Sequence, residues 1–185
     1  LDRSIFIAEE QFSSTWFSYY RTLKQRNAML KNNRISDIYA WNKKLAEDGN
    51  VLSDFRKTFF EKTKSEFSSL LKLLEPNAVF DFFNLISIEF FQGWSTKDSF
   101  FEALEVNKAK DLKRKTTTEG PHKSDINFLI NNLDARQVLS RGEQKFFSIL
   151  WSCAQHEVLK KHYEIEATLI IDDIKSELDE RVKIL

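Results

Sequence analysis

Two stretches toward the end of the chain carry residue types that could handle phosphate and a metal ion. In Leu139-Ser140-Arg141-Gly142-Glu143-Gln144-Lys145 a hydroxyl and a glycine stand where an apolar helical pattern begins. The free N–H groups of a helix start, a serine hydroxyl and a backbone without a side chain together cradle an anion. The same residues also make an ordinary helix cap. About thirty residues on, Thr168-Leu169-Ile170-Ile171-Asp172-Asp173 ends an apolar run in two carboxylates, and Ser176-Glu177-Leu178-Asp179 follows. A buried strand that delivers paired carboxylates at its end is the Walker B arrangement, in which one carboxylate holds Mg²⁺ and the next polarises the attacking water. Alone, it is also a strand ending in a polar turn. The order, spacing and intervening helix of the two stretches fit one nucleotide-handling architecture. Its other half is missing: the four glycines are Gly49, Gly93, Gly120 and Gly142, and five places after them stand Asp54, Asp98, Asp125 and Phe147, so no Gly-X-X-X-X-Gly-Lys-Ser/Thr loop exists in the chain.

Other candidates are weaker. His122, His156 and His162 are scattered and Cys153 is alone, which excludes a zinc cluster and an internal disulfide framework. His122 and Lys123 follow Gly120-Pro121, a turn that either presents them to phosphate or is purely structural. Lys24, Arg26, Lys31, Arg34, Lys43 and Lys44, with Arg56 and Lys57, could meet DNA phosphates or form a solvated helix face. The seventeen phenylalanines fall on helical and strand faces, where core packing explains them better than base stacking.

The elements that must position these groups follow from periodicity. Phe12, Trp16, Tyr19, Tyr20 and Leu23 predict one helix from Glu9 to about Lys31. Ser36 and Asp37 can cap a second, carrying Ile38, Trp41 and Leu45 and closed by Gly49. A third runs from Leu52 through Phe59 and Phe67 to Leu74 and stops before Pro76. Short connections favour antiparallel neighbours, so residues 9–75 read as a helical arm. From Val79 to Phe91 an aromatic and β-branched run predicts one strand or two, and Thr96 or Asp98 can start a helix through Phe100, Phe101 and Leu104. Strands are expected at Lys115–Thr118, Ile126–Ile130 and Asp134–Leu139, broken at Gly120-Pro121 and Asn131-Asn132. Gly142 to about His162 should be helical, Ala167–Ile171 a buried strand, and another helix should begin near Glu177.

With 185 residues and 42% hydrophobic content the chain can bury a solid core. The formal net charge is zero, so total charge decides nothing about nucleic acid. Its distribution is uneven: twelve Lys/Arg face six Asp/Glu between Arg21 and Lys72, and eight acids face four bases between Glu157 and Arg181. No apolar run approaches a membrane span and no secretory signal opens the chain, so the cytoplasm is expected. The chain opens at Leu1 without methionine and stops inside a helical pattern, and it reads as an excised piece.

The stretch Leu139–Lys145 resembles the signature of ABC ATPases, Leu-Ser-Gly-Gly-Gln, with Arg141 and Glu143 as departures. Gln25-Arg26-Asn27-Ala28-Met29-Leu30-Lys31, Gly120-Pro121-His122-Lys123-Ser124-Asp125, the signature, Asp172-Asp173 and Ser176–Asp179 resemble successive landmarks of the RecF-like family, over nearly the whole chain. Lys123 stands where that family usually has arginine, keeping the charge without the bidentate donor. The resemblance implies a helix-rich α+β fold: a helical arm of antiparallel helices over 1–75, a mixed region over 76–138, and over 139–185 the C-terminal part of an ABC-type, P-loop-NTPase-like head. It implies an ATP-dependent homodimer that binds DNA at gaps and single-strand/double-strand junctions, acts with RecO and RecR to load RecA, and is cytoplasmic and nucleoid-associated, with no membrane partner. By position, Ser140, Arg141, Gly142, Glu143 and Gln144 would meet the γ-phosphate of ATP held by the other subunit. Asp172 would sit near Mg²⁺, Asp173 would take the place of the catalytic glutamate, and Ser176, Glu177, Leu178 and Asp179 would form the D-loop. ATP and Mg²⁺ belong to the full-length protein, a weak DNA-dependent ATPase, and this piece should be inactive alone. The alternative is an SMC-like or overcoming-lysogenization-defect-like head used in protein assembly, but an arm of roughly 65 residues is too short for a rod-like coiled coil.

Overall fold

The computed structural model describes residues 1–33, 36–74, 85–95 and 99–171. Helices α1 (Asp2–Ala8), α2 (Glu10–Lys31) and α3 (Ile38–Leu74) come first, then strand β1 (Ile86–Phe91) and helices α4 (Phe100–Val106) and α5 (Lys108–Arg114). A 3₁₀ turn at Pro121–Lys123 leads to β2 (Asp125–Ile130), β3 (Leu133–Asp134), α6 (Ala135–Val138) and α7 (Arg141–Tyr163). The strands form one sheet in the order β1-β2-β3. The chain divides into two compact units that interleave in sequence: Asp2–Thr58 with Phe90–Asp125, and Phe59–Glu89 with the described residues from Ile126 onward.

In the first unit, α2 forms because Phe12, Tyr19, Leu23, Arg26 and Leu30 recur at seven-, four- and three-residue steps with no glycine or proline between them, and all five are buried. Phe12 meets Phe55, Ser18 donates to Asp48 and Arg26 to Asn42, so α2 and the start of α3 run antiparallel, as the arm pattern predicts. The expected break at Gly49 does not occur, and α3 is one helix of 37 residues. Glycine is there for space: a Cβ on Gly49 would lie 2.5 Å from the Phe100 ring and 3.2 Å from Tyr19. Ser99, not Thr96 or Asp98, caps α4; the latter two lie outside the described residues.

In the second unit Phe67 of α3 packs against Phe128 of β2 and against Phe147 and Trp151 of α7, with ring centroids 5.6–6.1 Å apart. Burying several aromatic side chains in one cluster is the main apolar gain this unit shows. The Asn131-Asn132 break is a tight hairpin between β2 and β3, both asparagines at positive φ, with Leu129 opposite Asp134. Cys153 is half-buried and burial pushes its thiol pKa up, which suits an unreactive filler.

Three expected strands differ. Lys115–Thr118 leaves α5 through a left-handed Lys115 and bonds to side chains instead of a ladder. Asp134–Leu139 is strand only at its first residue, because the Asp134 carboxylate accepts from the Arg136 N–H and starts α6. Ala167–Ile171 carries no strand, and Leu169 and Ile170 are exposed; no strand among the described residues pairs with it, and a strand exists only through pairing. The helix expected near Glu177 and the 79–84 part of the aromatic run lie outside the described residues.

Candidate functional site

The signature stretch is the start of α7. Ser140 is the N-cap: its hydroxyl accepts from the Glu143 N–H at 3.3 Å, and the Glu143 carboxylate accepts from the Ser140 N–H at 2.7 Å. This reciprocal capping box accounts physically for Glu143, the departure from the ABC pattern. Gln144 holds the preceding loop, its side-chain amide donating to the carbonyls of Leu139 (3.0 Å) and Arg136 (3.2 Å). Ser140 and Arg141 are exposed, Glu143 and Gln144 half-buried, and Gly142 buried. The Arg141 and Gly142 N–H groups have no acceptor among the described residues, so the positive end of the helix dipole lies beside the exposed Ser140. Next to it opens a cavity of about 330 Å³ whose wall includes Arg136, Leu139, Gln144, Phe147 and Trp151.

The other two landmarks turn inward. Arg26 is fully buried: Nε donates to Asn42 (2.6 Å), and Nη1 to Asp111 (2.8 Å) and to the Thr117 hydroxyl (2.7 Å). Asn27 accepts from the Thr117 N–H and hydroxyl, the second Asp111 oxygen accepts from the Thr118 N–H and hydroxyl, and Asn42 donates to Glu105. The network ties α2, α3, α4, α5 and the 116–118 loop together. The Gly120–Asp125 landmark is equally internal. Gly120 donates its N–H to the Gly93 carbonyl, and both glycines have positive φ; a Cβ on Gly93 would fall 2.0 Å from Gly120's carbonyl oxygen, so only glycine fits. Arg56 donates to the Pro121 carbonyl, the Ser124 hydroxyl and both oxygens of Asp2.

His122 is fixed on both ring nitrogens. Nε2 lies 3.1 Å from the Thr117 carbonyl, which can only accept, so this nitrogen carries the proton. Nδ1 then accepts from the Tyr19 hydroxyl at 2.7 Å. Burial raises the Tyr19 pKa, keeping it a donor, and burial lowers that of His122, keeping the imidazole neutral. The expectation that His122 faces phosphate is therefore corrected: both nitrogens are engaged within the fold. Lys123 beside it is exposed.

The DNA candidates separate in the same way. Lys24, Lys31 and Lys43 are exposed, while Lys44 is held by Asp48 at 2.8 Å. Arg26 and Arg56 are corrected: both are buried in ion pairs with Asp111 and Asp2, so neither offers its charge to a surface ligand. The signal was present, since Arg26 falls on the apolar stripe of α2 between Leu23 and Leu30. Asp111, Thr117 and Asn42 were missed because the Arg26 that draws them together lies 16 to 91 positions away in sequence. Arg34, Asp172, Asp173, Ser176, Glu177, Leu178 and Asp179 lie outside the described residues. Among the described residues no cluster of His, Cys, Asp and Glu could hold a metal ion, and no helix is long and apolar enough to cross a membrane.

No family model matches the chain. Whole relatives do. The chain is 36% identical over 180 residues to the DNA replication and repair protein RecF of Coxiella burnetii, and 34% identical over 182 residues to that of Nitrosococcus oceani; each comparison covers 97% of this chain and 49% of the relative. It is similar to the structure of the recombination mediator protein RecF with ATP, with a TM-score of 0.81 and 25% identity over 98% of this chain and 51% of the other. Its likeness to RecF with ATPγS has a TM-score of 0.80. The chain spans about half the length of the curated relatives it matches. Because that likeness runs through nearly every residue here and joins sequence to the same helix-rich α+β fold, the chain belongs to the RecF family of ABC-fold DNA replication and repair proteins.

Proposed function

We propose that this chain serves an ATP-switched, dimerising recombination mediator that binds DNA at gaps and junctions and works with RecO and RecR to load RecA in the cytoplasm. In this reading the antiparallel α2 and α3 form the arm, and α7 belongs to the head. The observation that carries it is the start of α7: an exposed serine, two N–H groups with no acceptor among the described residues and a helix dipole suit one end of a polyphosphate, and no lysine-bearing loop in the chain can hold the other. That half-site matches a phosphate presented by a second subunit. ATP when bound supplies the anion; Ser140 and the N–H groups of Arg141 and Gly142 orient it, and Gln144 keeps the loop in place. Asp172 would hold Mg²⁺, Asp173 would hold the attacking water, and Ser176–Asp179 would line the dimer face.

The test uses the longer protein with its phosphate-binding loop. Ser140→Arg should leave ATP affinity per subunit within about twofold, since that subunit's own nucleotide lies elsewhere, while ATP-driven dimerisation falls by an order of magnitude or about 1.4 kcal/mol. Sedimentation with and without ATP, beside nucleotide titration, reads both. A Ser140→Arg protein that still dimerises, or that loses subunit ATP affinity, removes the trans role.

A further inference from the structure

We infer that the outward face of α5 is a contact surface for the phosphodiester backbone of DNA, an inference that rests on the DNA-repair reading above. Helix α5 with its cap reads Lys108-Ala109-Lys110-Asp111-Leu112-Lys113-Arg114-Lys115, five bases and one acid. The acid never reaches the surface. Asp111 is fully buried, one oxygen on Arg26 and the other on Thr118. By sequestering the one carboxylate of α5, Arg26 acts as a positioning residue for a surface it does not itself touch.

What remains outside is uniformly positive. Lys110, Lys113 and Arg114 are exposed, and their three- and four-residue steps put them on one face. Lys113 and Arg114 have no carboxylate partner among the described residues; Lys110 has one carboxylate, Glu119 at 3.6 Å, in a pair half open to water and worth little, and a long bond to Asn107 Oδ1 at 3.4 Å. With Ala109 they line a shallow, open depression of about 670 Å³. Lys115, at the left-handed cap, bonds Asn33, two residues beyond the exposed Lys31 at the end of α2. The helix dipole explains cations in the last turn of α5, but Lys110 lies in its first turn, where the dipole disfavours them. A ligand of high negative charge density accounts for both ends. Duplex DNA carries a charge about every 1.7 Å along its axis, so several phosphates come within reach of three cations on one short helix. The face carries no aromatic ring, so it offers charge without a platform for base stacking.

The chain itself can be tested by anisotropy on a labelled duplex with a single-stranded tail, titrated from about 50 to about 200 mM salt. Lys110→Gln/Lys113→Gln/Arg114→Gln should shrink the slope of log affinity against log salt by about 2.7, the effect of three lost phosphate contacts. Lys110→Arg/Lys113→Arg should retain the wild-type slope. Arg3→Gln/Lys72→Gln/Lys160→Gln removes as much charge from scattered exposed positions and should change the slope by less than about 1. Circular dichroism checks that each variant is folded. Equal losses in the α5 and scattered variants would show net charge alone at work and overturn the local surface. A wild-type slope in the α5 variant would overturn it too, while leaving DNA binding to other residues. Failure of the wild-type chain to bind any DNA would remove this surface without touching the Ser140 dimerisation test.

Discussion

The Arg26 network and the start of α7 use similar chemistry to opposite ends. Around Arg26, a guanidinium, a carboxylate, the Asn42 amide and the Thr117 hydroxyl are out of water, Asn27 and Thr118 are half-buried beside them, and the groups bond to one another. At Ser140 the polar groups stand nearer the surface, where a local box and one glutamine help to hold them. Buried polar groups are strongly penalised when a partner is lost, whereas exposed ones are re-solvated. The landmarks at 25–31 and 120–125 thus hold the fold together, whereas the start of α7 leaves Ser140 exposed.

The largest expected effect breaks the inner side of that contrast. Arg26→Met strands Asp111 as a buried charge and should destabilise the chain by about 3–5 kcal/mol, read as a lower denaturant midpoint. Arg26→Met/Asp111→Leu removes both charges and should be less destabilised than Arg26→Met alone. If the single change costs under about 1 kcal/mol, the network is not what holds α5 to α2.

Much of this was legible beforehand. The periodicity of α2 and α7 gave both helices, and the twin asparagines gave the hairpin, because local steric and apolar rules decide such elements. Gly49 misled, since a glycine that makes room for Phe100 and Tyr19 looks the same in sequence as one that ends a helix. The strand at 167–171 misled for a different reason: apolar content marks a segment able to pair, but pairing needs a partner. The fate of Arg26 was half legible from its place in the stripe. The burial of Asp111 was not, because it depends on a contact between residues 85 positions apart.

A smaller effect comes from His122, and its sign follows from its held proton. Burial lowers its folded-state pKa below the ordinary 6.5, so as pH falls the unfolded chain takes up the proton first. Its contribution is fully present above pH 6.5 and is lost as pH falls from 6.5 toward the lower folded value. Unfolding midpoints between about pH 7.5 and 5 should fall with acid in the wild type and less so in His122→Gln. At neutral pH the substitution should cost about 1 kcal/mol for imperfectly replaced hydrogen bonds. An unchanged acid slope in His122→Gln would place the sensitivity in other groups.

The smallest effect sharpens the outer side, because the chain supplies its own control. Ser99 and Glu102 at the start of α4 form the same reciprocal box as Ser140 and Glu143 at the start of α7, each with an exposed serine before a phenylalanine-rich helix. As caps the two serines are equivalent, so Ser99→Ala and Ser140→Ala should each lower stability by about 1 kcal/mol, measured by chemical denaturation of this chain. As ligands they differ: Ser140 is followed by Arg141 and Gly142 and opens a helix of 23 residues, whereas Ser99 opens one of 7. A longer dipole and a hydroxyl two residues before glycine favour an anion at Ser140 over Ser99. In the longer protein, only Ser140→Ala should weaken ATP-driven dimerisation, by several-fold and less than Ser140→Arg, because alanine removes a hydrogen bond without adding bulk. Equal stability losses with equal dimerisation would reduce Ser140 to a cap, and the capping box would then be the whole explanation of the signature stretch.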